Sequence, residues 1–246
     1  MTAPDMVSKV SLARERLAAA QRVVVLTGAG ISAESGVPTF RGEGGLWRDY
    51  RAVDLATPEA FGRNPQLVWE FYNWRREVLA PLSPNAGHEA LVRMEQSIPH
   101  FTLVTQNIDG LHEKAGSRNI VELHGNIWFV RCVGCGRITE DRSVLPPMPR
   151  CAGCGQLLRP HVVWFGEALD PTILNRAYEA VQGAEVMMVI GTSGTVEPAA
   201  SMGMLAKRKG AFLVEINLEP TPYTGFYDAG ILGKSGEVLP LICESL

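Results

Sequence analysis

Arg22-Val23-Val24-Val25-Leu26-Thr27-Gly28-Ala29-Gly30 is the stretch that decides the fold. Six residues rich in β-branched side chains, closed by glycine, read as a strand buried on both faces, the kind found in parallel sheets. Gly28-x-Gly30-x-x-Ala33 follows at once, with a helix expected from Ile31. In this strand–turn–helix setting the pattern suits a dinucleotide: glycine lets the backbone approach a pyrophosphate, and a helix N-terminus offers N–H donors. A tight turn without a ligand gives the same pattern. Three similar runs come later, at 101–106, 185–190 and 211–217, with helical patterns over 85–97, 171–182 and 197–208. Val7, Val10, Leu12 and Leu17 suggest an amphipathic first helix. Strand–helix alternation predicts an α/β fold with a doubly wound, Rossmann-like parallel sheet.

Two stretches break the rhythm: the helical, aromatic-rich segment 42–84 and the cysteine-bearing segment 125–160. They are expected to form a smaller second domain, beside a nucleotide-binding domain made of 1–41, 85–124 and 161–246. The polar ends of all four strands (28–35, 106–110, 191–195 and 217–222) fall on the carboxyl edge, where open α/β sheets bind ligands.

Cys132, Cys135, Cys151 and Cys154 form two C-x2-C knuckles separated by fifteen residues. That spacing brings four sulfurs to one tetrahedral Zn²⁺, a closed and therefore structural site. Gly134, Gly136, Gly153 and Gly155 flank the sulfurs and permit the tight turns. Two disulfides or a redox dithiol are the alternatives. Cys243 stands alone and reads as a small buried apolar residue.

Composition narrows the function. The 246 residues carry 23 Lys+Arg against 26 Asp+Glu, a net charge of −3. That balance argues against a phosphate-tracking surface, so no direct nucleic-acid partner is expected. Apolar runs such as 186–190 fall far short of the roughly 20 residues that cross a bilayer, so no membrane partner is expected either. Asp5, Glu15 and the lack of a continuous apolar run at the start disfavour a secretory leader, and the protein reads as cytoplasmic. A hydride-transferring dehydrogenase would need an acid after the second strand for the ribose hydroxyls. Glu43 and Asp49 lie near that distance, but no strand precedes either.

Longer motifs carry a resemblance. Gly28-Ala29-Gly30-Ile31-Ser32-Ala33-Glu34-Ser35-Gly36-Val37-Pro38-Thr39-Phe40-Arg41-Gly42 resembles the first signature of the sirtuins, the NAD-dependent protein-lysine deacylases. Thr105-Gln106-Asn107-Ile108-Asp109-Gly110-Leu111-His112 resembles the second, and Leu123-His124-Gly125 the catalytic histidine motif. The four cysteines, Val163-Trp164-Phe165-Gly166-Glu167, Gly191-Thr192-Ser193 and Asn217 follow in family order. The resemblance implies NAD as co-substrate, one structural zinc, and acylated-lysine proteins or peptides as partners. It implies nicotinamide and 2′-O-acyl-ADP-ribose as products.

The resemblance also implies roles. His124 is the general base, for which an imidazole near pKa 6.5 is suited. Asn107 and Asp109 hold the nicotinamide carboxamide, and Gln106 touches its ribose. Gly28, Ala29, Gly30, Ser32, Ala33, Phe40, Arg41, Trp47 and Ile108 complete that side of the cofactor site; Arg41 contacts phosphate unless it is a solvated loop charge. Gly191, Thr192, Ser193, Asn217, Leu218, Glu219 and Ser235 hold the adenosine side. Val163 and Phe165 line the lysine tunnel. Of the other histidines, His88 and His100 read as surface or cap residues, His112 as orienting its own loop, and His161 as a core contact before a strand at Val163.

Ala56, Tyr72 and Arg75 resemble the class III branch, whose acyl groups end in a carboxylate. Tyr72 and Arg75 lie three apart, on one helix face. Arginine binds a carboxylate through two parallel hydrogen bonds, tyrosine adds a donor, and Ala56 leaves room. Desuccinylation, demalonylation or deglutarylation is therefore expected, with weaker deacetylation. The competing readings are a basic helix face with Tyr72 in the core, a plain deacetylase, an ADP-ribosyltransferase, and a zinc-ribbon binding module.

Overall fold

A computed structural model of the protein describes residues 3–38, 46–48 and 50–244. Phe40, Arg41, Glu43 and Asp49 lie outside the described residues. In chain order the elements are α1 (Ala3–Ala19), β1 (Arg22–Thr27), α2 (Gly30–Ala33), β2 (Leu46–Trp47), β3 (Tyr50–Arg51), α3 (Ala52–Leu55), α4 (Pro58–Arg63) and α5 (Pro65–Leu79). There follow α6 (Ala86–Ser97), β4 (His100–Thr105), α7 (Leu111–Ala115), β5 (Ile120–Glu122), β6 (Gly125–Cys132), β7 (Ile138–Glu140) and β8 (Leu158–Val162). The chain ends with α8 (Pro171–Gly183), β9 (Val186–Ile190), α9 (Ala199–Arg208), β10 (Phe212–Asn217), β11 (Ala229–Leu232) and α10 (Ser235–Cys243). No helix among the described residues is long and apolar enough to cross a membrane.

Six strands form one parallel sheet in the order β11-β10-β9-β1-β4-β5. From β1 the chain winds first through β4 to β5, then returns on the other side through β9, β10 and β11. The strand order reverses between β1 and β9, and this switch point is where a doubly wound sheet opens a ligand crevice. The sequence reading found four of these strands. The two missed, β5 and β11, are short edge strands of three and four residues.

Alternation along β1 sends Val23 and Val25 to one face, against α1, α6 and α10, and Val24 and Leu26 to the other, against α8 and α9. Each fully buried aliphatic side chain contributes about 2 kcal/mol from removal of its surface from water. Capping sets where the helices begin. Asn64 accepts from Leu67 N at the start of α5, and Asp170 accepts from Thr172 N and Ile173 N at the start of α8, each followed by proline.

The remaining elements pack beside the sheet's carboxyl edge. An antiparallel sheet, β7-β6-β8, shares a core with α3, α4 and α5 built on Trp69, Phe71, Tyr72, Ile127, Trp128 and Trp164. Val163 lies just past the end of β8, and His161 lies within that strand rather than before it.

Candidate active site at the sheet's carboxyl edge

The glycine loop meets the β9 loop at the switch point. Gly28 N donates to Ile190 O (3.0 Å), and Gly30 N to Gly191 O (2.8 Å). A Cβ on Gly30 would lie 2.6 Å from Gly191 Cα, and one on Gly28 would lie 2.8 Å from Gly191 O. Both glycines are therefore required by this backbone-to-backbone approach, whatever ligand lies above. The expected helix after the loop is a single turn, α2, and its early donors are used locally: Ile31 N on Gly28 O, Ser32 N on Ala29 O. Helix-dipole assistance from α2 is correspondingly small.

Beyond the glycines, side chains from four segments form one network. Asn107 Nδ2 donates to Gly28 O (3.1 Å) and Ser32 Oγ (3.3 Å). Asn85 N donates to His88 Nδ1, so the proton of this neutral imidazole lies on Nε2, which donates to Ser32 Oγ at 3.3 Å. The Ser32 hydroxyl lies close enough to Asp109 to favour its ionised form. Thr27 Oγ1 donates to Thr105 Oγ1 (2.8 Å), which leaves it to accept from His112 Nε2 at 2.9 Å. The two imidazole rings stand 4.8 Å apart. Burial holds His88 down to about 4 and His112 well below its ordinary value, with the neighbouring His88 adding to the latter. His88 is thus fully buried as well as part of a capping box, not a surface residue. Nothing local in the sequence joins residues 32, 88, 109 and 112; only the fold does.

Burial pushes the Asp109 carboxyl up, against the Leu111 N–H, the Ser32 hydroxyl and the positive charge of Arg75, all of which favour its ionised form. His124 follows β5. Its Nδ1 lies 2.9 Å from the Gln106 carbonyl, so Nδ1 carries the proton and Nε2 is the basic nitrogen. Burial lowers its pKa, partly offset by that hydrogen bond, so the imidazole is neutral and ready to accept a proton at pH 7.

On the far side, Gln106 Nε2 donates to Thr192 Oγ1 (3.0 Å), and Asn217 Nδ2 to Thr192 O (2.8 Å). Ser193 bonds to Thr195, while Leu218 and Glu219 are exposed. The Ser235 side chain is buried and donates to Glu34 Oε1, which also receives Gly236 N (2.9 Å). Glu34 thus ties the glycine loop to α10. Ile108 is half-buried and Ala33 exposed. Trp47 is buried 5.6 Å from the Phe71 ring.

Val163 N donates to His124 O and Phe165 N to Ala56 O, both at 2.9 Å. Their loop is braced by Arg159, which forms a two-point ion pair with Glu167 (2.6 and 2.9 Å). Phe165 itself is exposed. Tyr72 and Arg75 are both buried on α5, and Trp164 Nε1 donates to Tyr72 Oη at 2.9 Å.

The four cysteine sulfurs lie within 4.8 Å of one another. Tetrahedral zinc with Zn–S near 2.3 Å needs sulfurs about 3.8 Å apart; the closest pairs are at 3.4 and 3.8 Å. Gly134 N and Cys135 N both point at Cys132 Sγ (3.4 Å), and Gly136 and Gly155 take φ of +71° and +72°. The residues fit one structural zinc.

Residues 28–198 match the family model described as Sir2 family. The chain belongs to the Sir2 family. It is 53% identical to an NAD-dependent protein deacylase of Aquifex aeolicus over 226 residues, covering 91% of this chain and 95% of that protein. It is 48% identical to an NAD-dependent protein deacylase of Pyrococcus furiosus, covering 94% and 95%. A solved Sir2 homologue–NAD complex superposes with a TM-score of 0.90 at 46% identity, covering 94% of this chain and 92% of that one. A solved Sir2–p53 peptide–NAD⁺ complex gives 0.84 at 31% identity, covering 94% and 95%. The chain has the Sir2 fold, with a parallel Rossmann-like sheet and a small four-cysteine cluster.

Proposed function

We propose that this Sir2 protein removes acyl groups that end in a carboxylate (succinyl, malonyl or glutaryl) from protein lysines, with acetyl as a poorer substrate. It is an NAD-dependent protein deacylase, in keeping with its relatives' names. Bound NAD supplies a glycosidic bond whose cleavage makes the ribose carbon electrophilic. The chain supplies position and proton transfer. Gly28, Gly30, Gly191, Thr192, Ser193, Asn217, Leu218, Glu219 and Ser235 line the dinucleotide crevice. Asn107 and Asp109 orient the carboxamide in a site poor in water, where fixed dipoles act strongly. His124 Nε2 accepts the ribose hydroxyl proton. Val163 and Phe165 border the lysine channel, and an extended peptide adds beside them as a strand, so sequence preference is loose.

The observation that carries the acyl preference is the buried Tyr72–Arg75 pair. Burial pushes the Tyr72 phenol up to about 12, so it stays protonated. Its oxygen is used by Trp164, and its proton has no acceptor among the described residues. Arg75, buried within the same cluster, remains a cation although burial lowers its pKa. Cation and phenol together suit a carboxylate, and Ala56 leaves space beside them.

Arg75 also faces Asp109, which favours a second reading: Arg75 supports the nicotinamide side and has no part in acyl choice. Arg75→Met separates them. Losing a charge-assisted hydrogen bond should lower kcat/KM for a succinyl peptide by about ten- to hundredfold, with little change for the acetyl peptide. Equal losses on both substrates would favour the second reading and exclude the carboxylate clamp.

A further inference from the structure

The segment from Ile108 to Gly110 is gripped from β6, which begins next to His124. Ile127 N donates to Ile108 O at 2.9 Å. One residue on, Trp128 Nε1 donates to Asp109 O at 2.8 Å. The same ring covers the next residue. Gly110 has φ of +76°, and a Cβ there would lie 2.8 Å from Trp128 Cδ1. The loop can turn only because position 110 has no side chain, and the indole edge fills the space.

Trp128 is itself fixed on every side. Its backbone N donates to Asn126 Oδ1 (3.0 Å), and Asn126 Nδ2 donates to Glu122 Oε1 (2.7 Å). Its carbonyl accepts from Asp141 N (2.8 Å), after β7. Two guanidinium groups, Arg76 from α5 and Arg142, stand 5.6 and 5.5 Å from its ring. Arg76 is buried, and its three nitrogens have no hydrogen-bond partner among the described residues, where the ring and the field of Asp141 stabilise it. The indole therefore joins α5, the zinc-bearing sheet and the Asp109 loop at one point.

We infer that Trp128 is a positioning residue for the nicotinamide side of the site, its indole N–H and ring edge holding the Asp109–Gly110 peptide so that the Asp109 carboxyl faces Ser32 and Arg75. This rests on the reading of Asp109 as a carboxamide contact. Trp128 does not touch the dinucleotide; it acts through Asp109.

Trp128→Phe keeps an aromatic ring and deletes the N–H. Two constants are read in the full-length protein: inhibition by free nicotinamide and affinity for ADP-ribose. The variant should weaken nicotinamide inhibition about tenfold, the scale of one buried hydrogen bond, and lower kcat by a similar factor. ADP-ribose affinity should stay within twofold, which also shows that the protein is folded. A purely structural role would move both constants together or neither, and either result overturns the inference. Asp109→Asn, measured in parallel, separates the two layers. If it weakens nicotinamide inhibition while Trp128→Phe does not, only the role of Trp128 fails. If Asp109→Asn leaves that inhibition unchanged, the reading of Asp109 falls and takes the inference with it.

Discussion

The six-stranded parallel sheet and the three-stranded antiparallel sheet hold together by different means. In the parallel sheet, β1 and β9 bury nearly every side chain between two helical layers, and apolar burial stabilises it without help. In the antiparallel sheet, β7 is exposed along its whole length, and Val133, Ile138, Val144 and Met148 face solvent. β6 and β8 pack on the core shared with α3–α5, but β7 and the loops bearing the cysteines have little core of their own, and the four sulfurs are placed to staple them. Yet the weaker region is tied to the proposed site at the edge of the stronger one. β6 runs from Gly125, next to His124, to the first zinc ligand, and on the way supplies Ile127 and Trp128 to the loop bearing Asp109. The sheet that carries the four cysteines is thereby tied to the proposed active site.

Stripping the zinc breaks this comparison most severely. In zinc-finger peptides structural zinc contributes about 10–16 kcal/mol of binding free energy, which is folding free energy. Chelation, or Cys151→Ser, should abolish deacylation and open the segment 133–157 to proteolysis. The circular dichroism of the helices should survive, because α1, α6, α8, α9 and α10 pack on the parallel sheet. If the whole chain instead unfolded in one step with metal loss, the two regions would not differ in the way described.

The same contrast explains what the sequence revealed. β1, β4, β9 and β10 were legible because a strand buried on both faces is a continuous apolar run. The zinc knuckles were legible because their ligands are local in sequence. β5 and β11 were not, being too short and mixed, and α10 was hidden by Gly236 and by Pro240 inside it. The site divides similarly. Glycine loop, His124 and cysteines each lie within a few residues of their motif. The joining of Ser32, His88, Asp109 and His112 is a tertiary fact: the neighbours of His88 suggest a surface or cap residue, and the cap is there, but its burial and its tie to Ser32 are not visible in the sequence.

Acid is a gentler way to sharpen the comparison, because both buried imidazoles lie on the side of the parallel sheet, on α6 and α7. His88 titrates near 4 when folded and near 6.5 when not. The unfolded state therefore binds its proton first. The stability it contributes is complete above about pH 6.5 and is lost as pH falls towards 4, by about 3 kcal/mol. Glu122 acts with the opposite sign: burial raises its carboxyl to about 7, so the folded state gains from its protonation over the same range. A wild-type pH curve mixes the two, but the difference between wild type and His88→Gln isolates the imidazole. In urea unfolding the variant's deficit at pH 7 should shrink by about that amount at pH 4.5. Parallel curves would mean that His88 titrates normally in the folded protein.

The smallest effect belongs to Tyr72, and it tests whether the helical region contributes recognition as well as packing. Tyr72→Phe keeps the ring against Phe71 and Trp164 and removes only the hydroxyl. Two things follow. Trp164 Nε1 loses its acceptor, a cost of about 1–3 kcal/mol for a buried donor left unpaired, and this should appear as a lower Tm whatever the substrate. A carboxylate on the acyl group loses one donor, which should appear only with succinyl, malonyl or glutaryl peptides, as a rise in KM of several-fold while Arg75 still holds the charge. The acetyl peptide has nothing for the phenol to bind, so its KM should stay put. If the two KM values rose together, the hydroxyl would serve Trp164 and the packing of the loop after β8, and acyl choice would rest on Arg75 alone.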